Sequence, residues 1–327
     1  MTKLAILGAG RIACTMADTV RRMNATGRGD VCLLAIAARD EKRAHAFAQE
    51  NGIPRAYGSY EEMVRDPDID LVYIATPHSH HAEHMRLCIL NGKAVLCEKA
   101  FTANAKQAEE VLNLAHKKSI LVTEAIWTRY QPMRKLIYDA VWSGIIGKPR
   151  TVQANLSYAI SHKERIIDPA LAGGALLDVG VYALNFCEMI FGHPDEAHAC
   201  AVLTDRGCDE TDSMTLLWHD GRVGILSAGT TAISEREGLI WCERGFIRVE
   251  NINNPQRMQI YDENRQVIRD VSCPPQLTGY EYEVEEACET FTAGKTECAS
   301  MPHAETLHIM RLMDHLRKQM GVVYPFE

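Results

Sequence analysis

The alternation of apolar and polar positions divides the chain at about residue 125. Before that point, short apolar runs at residues 3–7, 31–37, 71–75, 94–97 and 120–124 read as strands. Stretches with helical spacing lie between them, at residues 11–23, 41–51, 80–91 and 105–118. The first helix places Ile12, Met16, Thr19, Val20 and Met23 on one side. Residues 31–37 are apolar throughout, as in a strand buried on both faces. Gly52 and Gly92 stop two of the helices, and the cationic last turn of 105–118 suits the helix dipole. Strict alternation predicts a doubly wound parallel sheet, a Rossmann domain over residues 1–124.

The rhythm then changes. Runs at 152–158, 197–203, 214–218, 222–228, 239–242, 246–250 and 258–261 have strand patterning and mostly short connections, with Asp220-Gly221 fitting a two-residue hairpin turn. They predict an α+β domain over residues 125–327, built on a large, mostly antiparallel open sheet. Helices at 132–143 and 178–191 flank or cover that sheet, and helices at 280–292 and 303–320 close the chain. The fold class is α/β, with this second domain attached.

Composition narrows the function. A chain of 327 residues suits about two domains, and 24% charged with 46% hydrophobic residues is ordinary for a globular protein. The net charge of -8 argues against nucleic-acid and anionic-membrane partners, while leaving room for a local basic pocket. No apolar stretch is read as approaching the ~18 residues of a membrane helix. The run at 4–7 is too short for a signal peptide, so the expected location is cytoplasmic. Eleven cysteines without a C-x-x-C pair read as reduced thiols, and no metal site is expected.

Gly8-Ala9-Gly10-Arg11-Ile12-Ala13 is a G-x-G-x-x-A motif between a strand and a helix. The first glycine permits a tight turn, the second lets backbone approach a pyrophosphate, and the small third residue lets helix and strand pack closely. Gly8, Gly10, Arg11 and Ile12 are therefore candidate dinucleotide contacts. At the end of the second strand, Ala38-Arg39 leaves room for a 2′-phosphate and supplies a bidentate cation, which favours NADP. Asp40 keeps NAD open, and Arg39 with Lys42 and Arg43 also fits a plain solvated helix face. Thr76, His78 and His81 follow the next strand, at the sheet edge where ligands bind, and read as a lining for the nicotinamide ribose. His80 and His84 are one helical turn apart, but no carboxylate completes a ligand set with them. Glu98-Lys99 ends the following strand, where a lysine near a cationic nicotinamide would have its pKa depressed and serve as a proton carrier or hydroxyl orienter. Gly173-Gly174 leads into a helix on which Asp178 and Tyr182, four apart, share a face. A tyrosine near a lysine can move a proton at a carbinol oxygen; the spacing fits equally well a buried tyrosine satisfied within the core.

The segments 37–40, 56–62 (Ala56-Tyr57-Gly58-Ser59-Tyr60-Glu61-Glu62), 92–99 (Gly92 to Glu98-Lys99), 124–130 (Glu124-Ala125-Ile126-Trp127-Thr128-Arg129-Tyr130) and 177–182 resemble the glucose–fructose oxidoreductase/inositol dehydrogenase superfamily over nearly the whole chain. The resemblance implies an NADP preference and an active site between two domains. It implies acid–base roles for Lys99 and Tyr182, substrate support from Asp178, and Trp127 and Arg129 near cofactor and pocket. It also implies a homodimer paired through the open face of the C-terminal sheet. The family usually has proline after Glu-Lys, and here Ala100 removes that fixed φ. The expected activity is an NADP-dependent oxidoreductase moving hydride between nicotinamide and a secondary alcohol, either a cyclic trans-diol or an aldose. A second class, a dinucleotide-sensing regulator that binds a partner without turnover, would need neither Lys99 nor Tyr182. Further pocket candidates, His162, Lys163, Arg165 and Asp168, lie on the loop 157–171.

Overall fold

Short apolar runs become strands wherever helices can cover both of their faces. The computed structural model describes all 327 residues. The first part contains β1 (Thr2–Leu7), α1 (Arg11–Thr26), β2 (Val31–Ala37), α2 (Glu41–Asn51), β3 (Arg55–Tyr57), α3 (Tyr60–Arg65), β4 (Leu71–Ile74), α4 (His78–Leu90), β5 (Ala94–Glu98), α5 (Ala105–Lys118) and β6 (Val122–Ala125). The strands pair in parallel in the order β3-β2-β1-β4-β5-β6. That order reverses direction between β1 and β4, so the crevice at their carboxyl ends is the topological switch point. Leu4 to Leu7 and Leu71 to Ile74 are completely buried. β3 and α3 are too short for periodicity to show. The Ser59–Glu62 pair was their one signal, because the Ser59 hydroxyl caps α3 by accepting from Glu62 N.

The rest of the chain contains α6 (Pro132–Trp142), β7 (Pro149–Ser157), α7 (Glu164–Ile167), a π turn (Leu176–Gly180) running into α8 (Val181–Phe191), then β8 (Glu196–Leu203), β9 (Asp209–Leu217), β10 (Val223–Gly229), β11 (Gly238–Cys242), β12 (Gly245–Glu250), β13 (Arg257–Asp262), β14 (Val267–Ser272), α9 (Glu281–Thr292) and α10 (His303–Met320). Its sheet has the order β14-β13-β12-β11-β7-β10-β9-β8. Every neighbour is antiparallel except β7 with β10. Val152, Ala154, Leu156, Leu226, Ala228 and Ile240 form its buried face, and α8 packs on β7 and β10. Each of the larger of these side chains stabilises the fold by roughly 1.5–3 kcal/mol relative to exposure.

The structure corrects three expectations. First, the stretch Pro169–Phe191 is long and apolar enough to cross a membrane by length and composition, with mean hydropathy 1.5. Its most apolar window is 89% buried inside the protein, which makes it a core helix. Second, β14 adds an edge strand that patterning missed, because its residues are nearly all exposed and no buried face alternates. Third, the division at 124/125 gives way to two compact units, Met1–Tyr130 with Gln276–Leu307, and Gln131–Pro275 with His308–Glu327. The returning segment is anchored to the first unit by Glu281. Its carboxylate accepts from the amides of Leu277, Thr278 and Gly279 at 2.7, 3.0 and 2.6 Å and pairs with Arg28 at 3.2 Å. Burial alone would raise the pKa of Glu281; the amides outweigh it and hold the group below its ordinary value. Helical periodicity shows that α9 has a buried face, and it cannot show which unit that face packs on.

Candidate active site

Residues from five strand ends meet at the carboxyl edge of the first sheet. Gly8 turns at φ +106°, and a Cβ there would lie 2.9 Å from Thr76 Cγ2 and 3.0 Å from Ala75 O, so only glycine fits. Gly10 is different. Its φ is -101° and a Cβ would meet only Ala75 O, at 3.9 Å, so packing within the protein does not require glycine there. α1 begins at Arg11 with no side-chain cap and no acidic residue in its first turn. Its first amides are thus left for an anion, and the space beside Gly10 fits the pyrophosphate of a dinucleotide. Arg11 is exposed, Ile12 is half-buried, and Ala13 is fully buried under the turn.

At the end of β2, Ala38 is buried and Arg39 is exposed. Arg39 borders a cleft of about 550 Å³ with Ser59, Tyr60, His80, His84 and Arg86. Asp40, the residue that would favour NAD, caps α2 by accepting from Arg43 N at 3.2 Å. Arg43 is more than a solvated helix residue: its Nε and Nη2 donate to Ala9 O at 3.1 and 2.6 Å, tying α2 to the glycine loop. Its spacing in the sequence carried no sign of this.

The histidine loop is mainly a brace. His81 is completely buried, with Nε2 2.8 Å from Thr76 O and Nδ1 2.9 Å from Ala100 O. Both ring nitrogens thus face backbone carbonyls, the single N–H of the neutral ring donating to one of them, and His81 positions the loop where direct lining of a ligand was expected. His84 Nδ1 lies 2.9 Å from Thr76 Oγ1. Burial lowers both His81 and His84 to about 4, which leaves them neutral at pH 7. His78 is buried in the first turn of α4, and Thr76 is half-buried at the mouth.

Lys99 is half-buried just past β5, and the Lys99–Ala100 peptide is cis. Glu98 beneath it is buried and accepts from the Tyr73 hydroxyl. Sequence reasoning missed Glu124 as a site residue. It is 1% exposed, and its Oε1 accepts from Phe101 N at 3.2 Å, so it supports the same turn. Burial pushes Glu124 up to about 7, with Thr306 and Arg129 offsetting only part of the effect. Trp127 stacks on Tyr280 with ring centroids 4.0 Å apart, and buried Arg129 pairs with Glu305 at 3.0 Å. Both lie at this edge, held by the returning segment.

In the second unit, Asp178 sits in the π turn and Tyr182 in the first turn of α8; both are buried. Val181 N bonds back to Leu176 O, so the turn holds one residue more than an α turn. Arg165 Nη1 donates to Asp178 Oδ1 at 2.7 Å. Of the other loop candidates, Asp168 is used as a turn cap, accepting from Ala170 N at 2.9 Å. Elsewhere in this unit Glu188, His193 and His308 bring ligand-type atoms within 4.8 Å of one another. The two imidazoles are stacked at 3.5 Å with planes 6° apart, so their in-plane lone pairs run parallel and do not converge on one point.

Residues 2–125 match the family model described as an oxidoreductase family with an NAD-binding Rossmann fold, and residues 134–248 match the GFO/IDH/MocA C-terminal domain. The chain belongs to the GFO/IDH/MocA oxidoreductase family. It is 33% identical to trans-1,2-dihydrobenzene-1,2-diol dehydrogenase of Xenopus tropicalis over 99% of both chains. It is 32% identical to that of Homo sapiens over 91% of both. A 3-ketoreductase from Actinomadura kijaniata, solved with NADP, superposes with TM-score 0.88 at 21% identity over 98% of both chains, which establishes the fold. As a GFO/IDH/MocA member, the protein is an oxidoreductase that uses a nicotinamide dinucleotide.

Two outcomes follow from this geometry. Gly10→Ala is expected to leave the thermal midpoint nearly unchanged and to weaken dinucleotide binding by about tenfold or more, measured by calorimetry. Gly8→Ala should instead cost about 1–3 kcal/mol of stability. Equal dinucleotide affinity in Gly10→Ala would show that the loop does not approach the phosphates. The second outcome concerns Glu124, whose folded-state pKa lies above its unfolded value. Its protonated form contributes stability below about pH 4.5, and that contribution is lost as the pH rises to about 7. Urea unfolding of Glu124→Gln should gain on the parent across that window, by roughly 3 kcal/mol at most. A constant difference between the two proteins from pH 4.5 to 8 would contradict the raised pKa.

Proposed function

We propose that this GFO/IDH/MocA member is an NADP-dependent dehydrogenase acting on a secondary alcohol, a trans-dihydrodiol or an aldose. The observation that carries the reading is near-full-length identity of about a third to enzymes named for a dihydrodiol substrate. NADP over NAD is supported by small Ala38, exposed Arg39, and a cleft in which Arg86 joins Arg39. Asp40 is engaged as a helix cap, which argues the same way. Guanidinium groups bind a phosphate bidentately with charge assistance, and a neutral ribose hydroxyl in its place offers only a single weaker bond.

In this reading Tyr182, in its phenolate form, takes the hydroxyl proton of the alcohol and becomes the phenol, and the Lys99 ammonium orients that hydroxyl and favours its loss of the proton. Asp178, fixed by Arg165, holds a neighbouring substrate hydroxyl. When bound, the nicotinamide supplies the two-electron acceptor. The outward face of the second sheet supports a homodimer, with Ile225 and Trp241 exposed and Phe246 stacked on Tyr261 at 4.4 Å. The eleven cysteines, all free thiols, suit a reducing compartment such as the cytoplasm.

The test is NADP reduction with a panel of trans-dihydrodiols, pentoses and hexoses. Reduction with a diol or an aldose is expected, and absence of turnover with all of them would overturn the reading. Lys99→Met and Tyr182→Phe should each lower kcat by about 10²-fold or more while leaving dinucleotide affinity intact. Full activity in either would refute its role. Arg39→Ala should cut the preference for NADP over NAD by roughly tenfold or more.

A further inference from the structure

The π turn that carries Asp178 follows two close-packed glycines: Gly173 lies against the backbone of Ile166 and Asp168, and Gly174 against the buried carboxyl group of Asp209. Gly174 turns at φ +125°, and a Cβ there would overlap Asp209 Oδ1 and lie 2.8 Å from Asp209 Cγ. Asp209 Oδ2 accepts from Leu176 N at 2.5 Å. Leu176 is the first residue of the helical run through Asp178 to Tyr182. The carboxylate therefore meets the positive end of that run and fixes where it begins. Gly173 is held from two more sides. Its N donates to Asp168 O at 3.1 Å, and its carbonyl accepts from the buried Tyr324 hydroxyl at 3.3 Å. At the far end, Gly180 leaves only 3.4 Å between a Cβ and that of Ala228 on β10.

Asp212, three residues further along β9 across the register shift opposite Val202 and Leu203, is 0% exposed, and Asp209 is 2% exposed. Neither Asp212 oxygen nor Asp209 Oδ1 meets an N–H or another donor. Two adjacent buried carboxylates that share a single donor, Leu176 N on Asp209 Oδ2, cannot both be ionised. A proton on Asp212 resolves this by supplying the missing donor to Asp209. Burial, then the charge of Asp209, raises Asp212 in the required direction. The other titratable neighbours of the pair, Cys208 and Tyr324, are themselves kept neutral by burial.

We propose that Asp209 and Asp212 act as a proton-sharing positioning pair, setting the Gly173-Gly174 turn and thereby the placement of Asp178 and Tyr182. The proposal rests on the catalytic reading of those two residues given above. Asp209 and Asp212 themselves do not act on the substrate. Ionised Asp209 caps the helical run, and protonated Asp212 keeps Asp209 anionic at the cost of a single buried charge.

The experiment pairs kinetics with hydrogen exchange on the full-length enzyme. Asp209→Ala should lower kcat by about 10²-fold, leave dinucleotide affinity within about twofold, and raise amide exchange across residues 174–182 by about tenfold or more. Asp212→Asn keeps a donor against Asp209. It should retain activity within about threefold at pH 7 and abolish the alkaline rise in exchange of the same segment that loss of the Asp212 proton causes in the parent. Should Asp209→Ala fail to fold, Asp209→Asn is read the same way, with smaller losses. Unchanged exchange in residues 174–182, or Asp212→Asn as damaged as Asp209→Ala, would overturn the proposal. Because exchange is measured without substrate, it still decides the matter if Tyr182→Phe proves fully active, so the two readings fail separately.

Discussion

The turn after β1 passes Thr76 with less than a methyl group to spare, and the organisation of the first sheet edge depends on that approach. It forces Gly8 to positive φ, and the chain then enters α1 with its leading amides uncapped. The same approach places Thr76 where His81 and His84 can bond it. Through His81 the loop after β4 is joined to Ala100, after β5. Arg43 adds the loop after β2 by bonding Ala9 O. A surface made of separate loops is normally mobile. Here the loops cross-link one another, so a ligand meets a largely pre-formed edge.

In both units the side chains proposed for the chemistry, Lys99 and Tyr182, lie above buried acids. Under Lys99 lie Glu98, Glu124 and, on α9, Glu283, which is fully buried and pushed well up by burial and by Glu98. Under the run to Tyr182 lie Asp209 and Asp212. Apolar side chains of the same volume would stabilise the interior more. Carboxyl groups give up stability for direction: each fixes a particular amide, hydroxyl or loop at a defined distance. Local departures from the most stable packing of this kind are expected where position matters more than stability.

The first sheet was readable because its strands are buried on both faces and its helices are amphipathic, so period and function coincide in Val31–Ala37 and Arg11–Thr26. Elements lacking that contrast stayed hidden. β3 has three half-buried residues, and β14 has no buried face. The apolarity of Pro169–Phe191 went unremarked because a few polar residues interrupt it. At the candidate site, glycine spacing and strand-end positions pointed to Gly8, Gly10, Arg39 and Lys99. What spacing could not reveal was partnership over long separations: His81 with Ala100, Arg43 with Ala9, Glu124 with Phe101, and Asp209 with Leu176. These are facts of the fold, and each joins residues whose side chains would look unexceptional in a list.

The path of the chain has a consequence in time. The first unit is closed by Gln276–Leu307, which emerge only after the whole of residues 131–275. At about 5–20 residues per second, synthesis leaves the dinucleotide-binding unit without α9 for roughly 7–30 s. During that interval Arg28 and Thr19 have no partners in Glu281 and Thr278, and the flank of α1 that will receive α9 is bare. The half of the protein begun first thus waits for a segment made near the end of the chain. A ribosome stalled between the two segments presents a nucleotide-binding fold with its sheet assembled and one wall missing, a natural substrate for chaperones that recognise uncovered apolar surface.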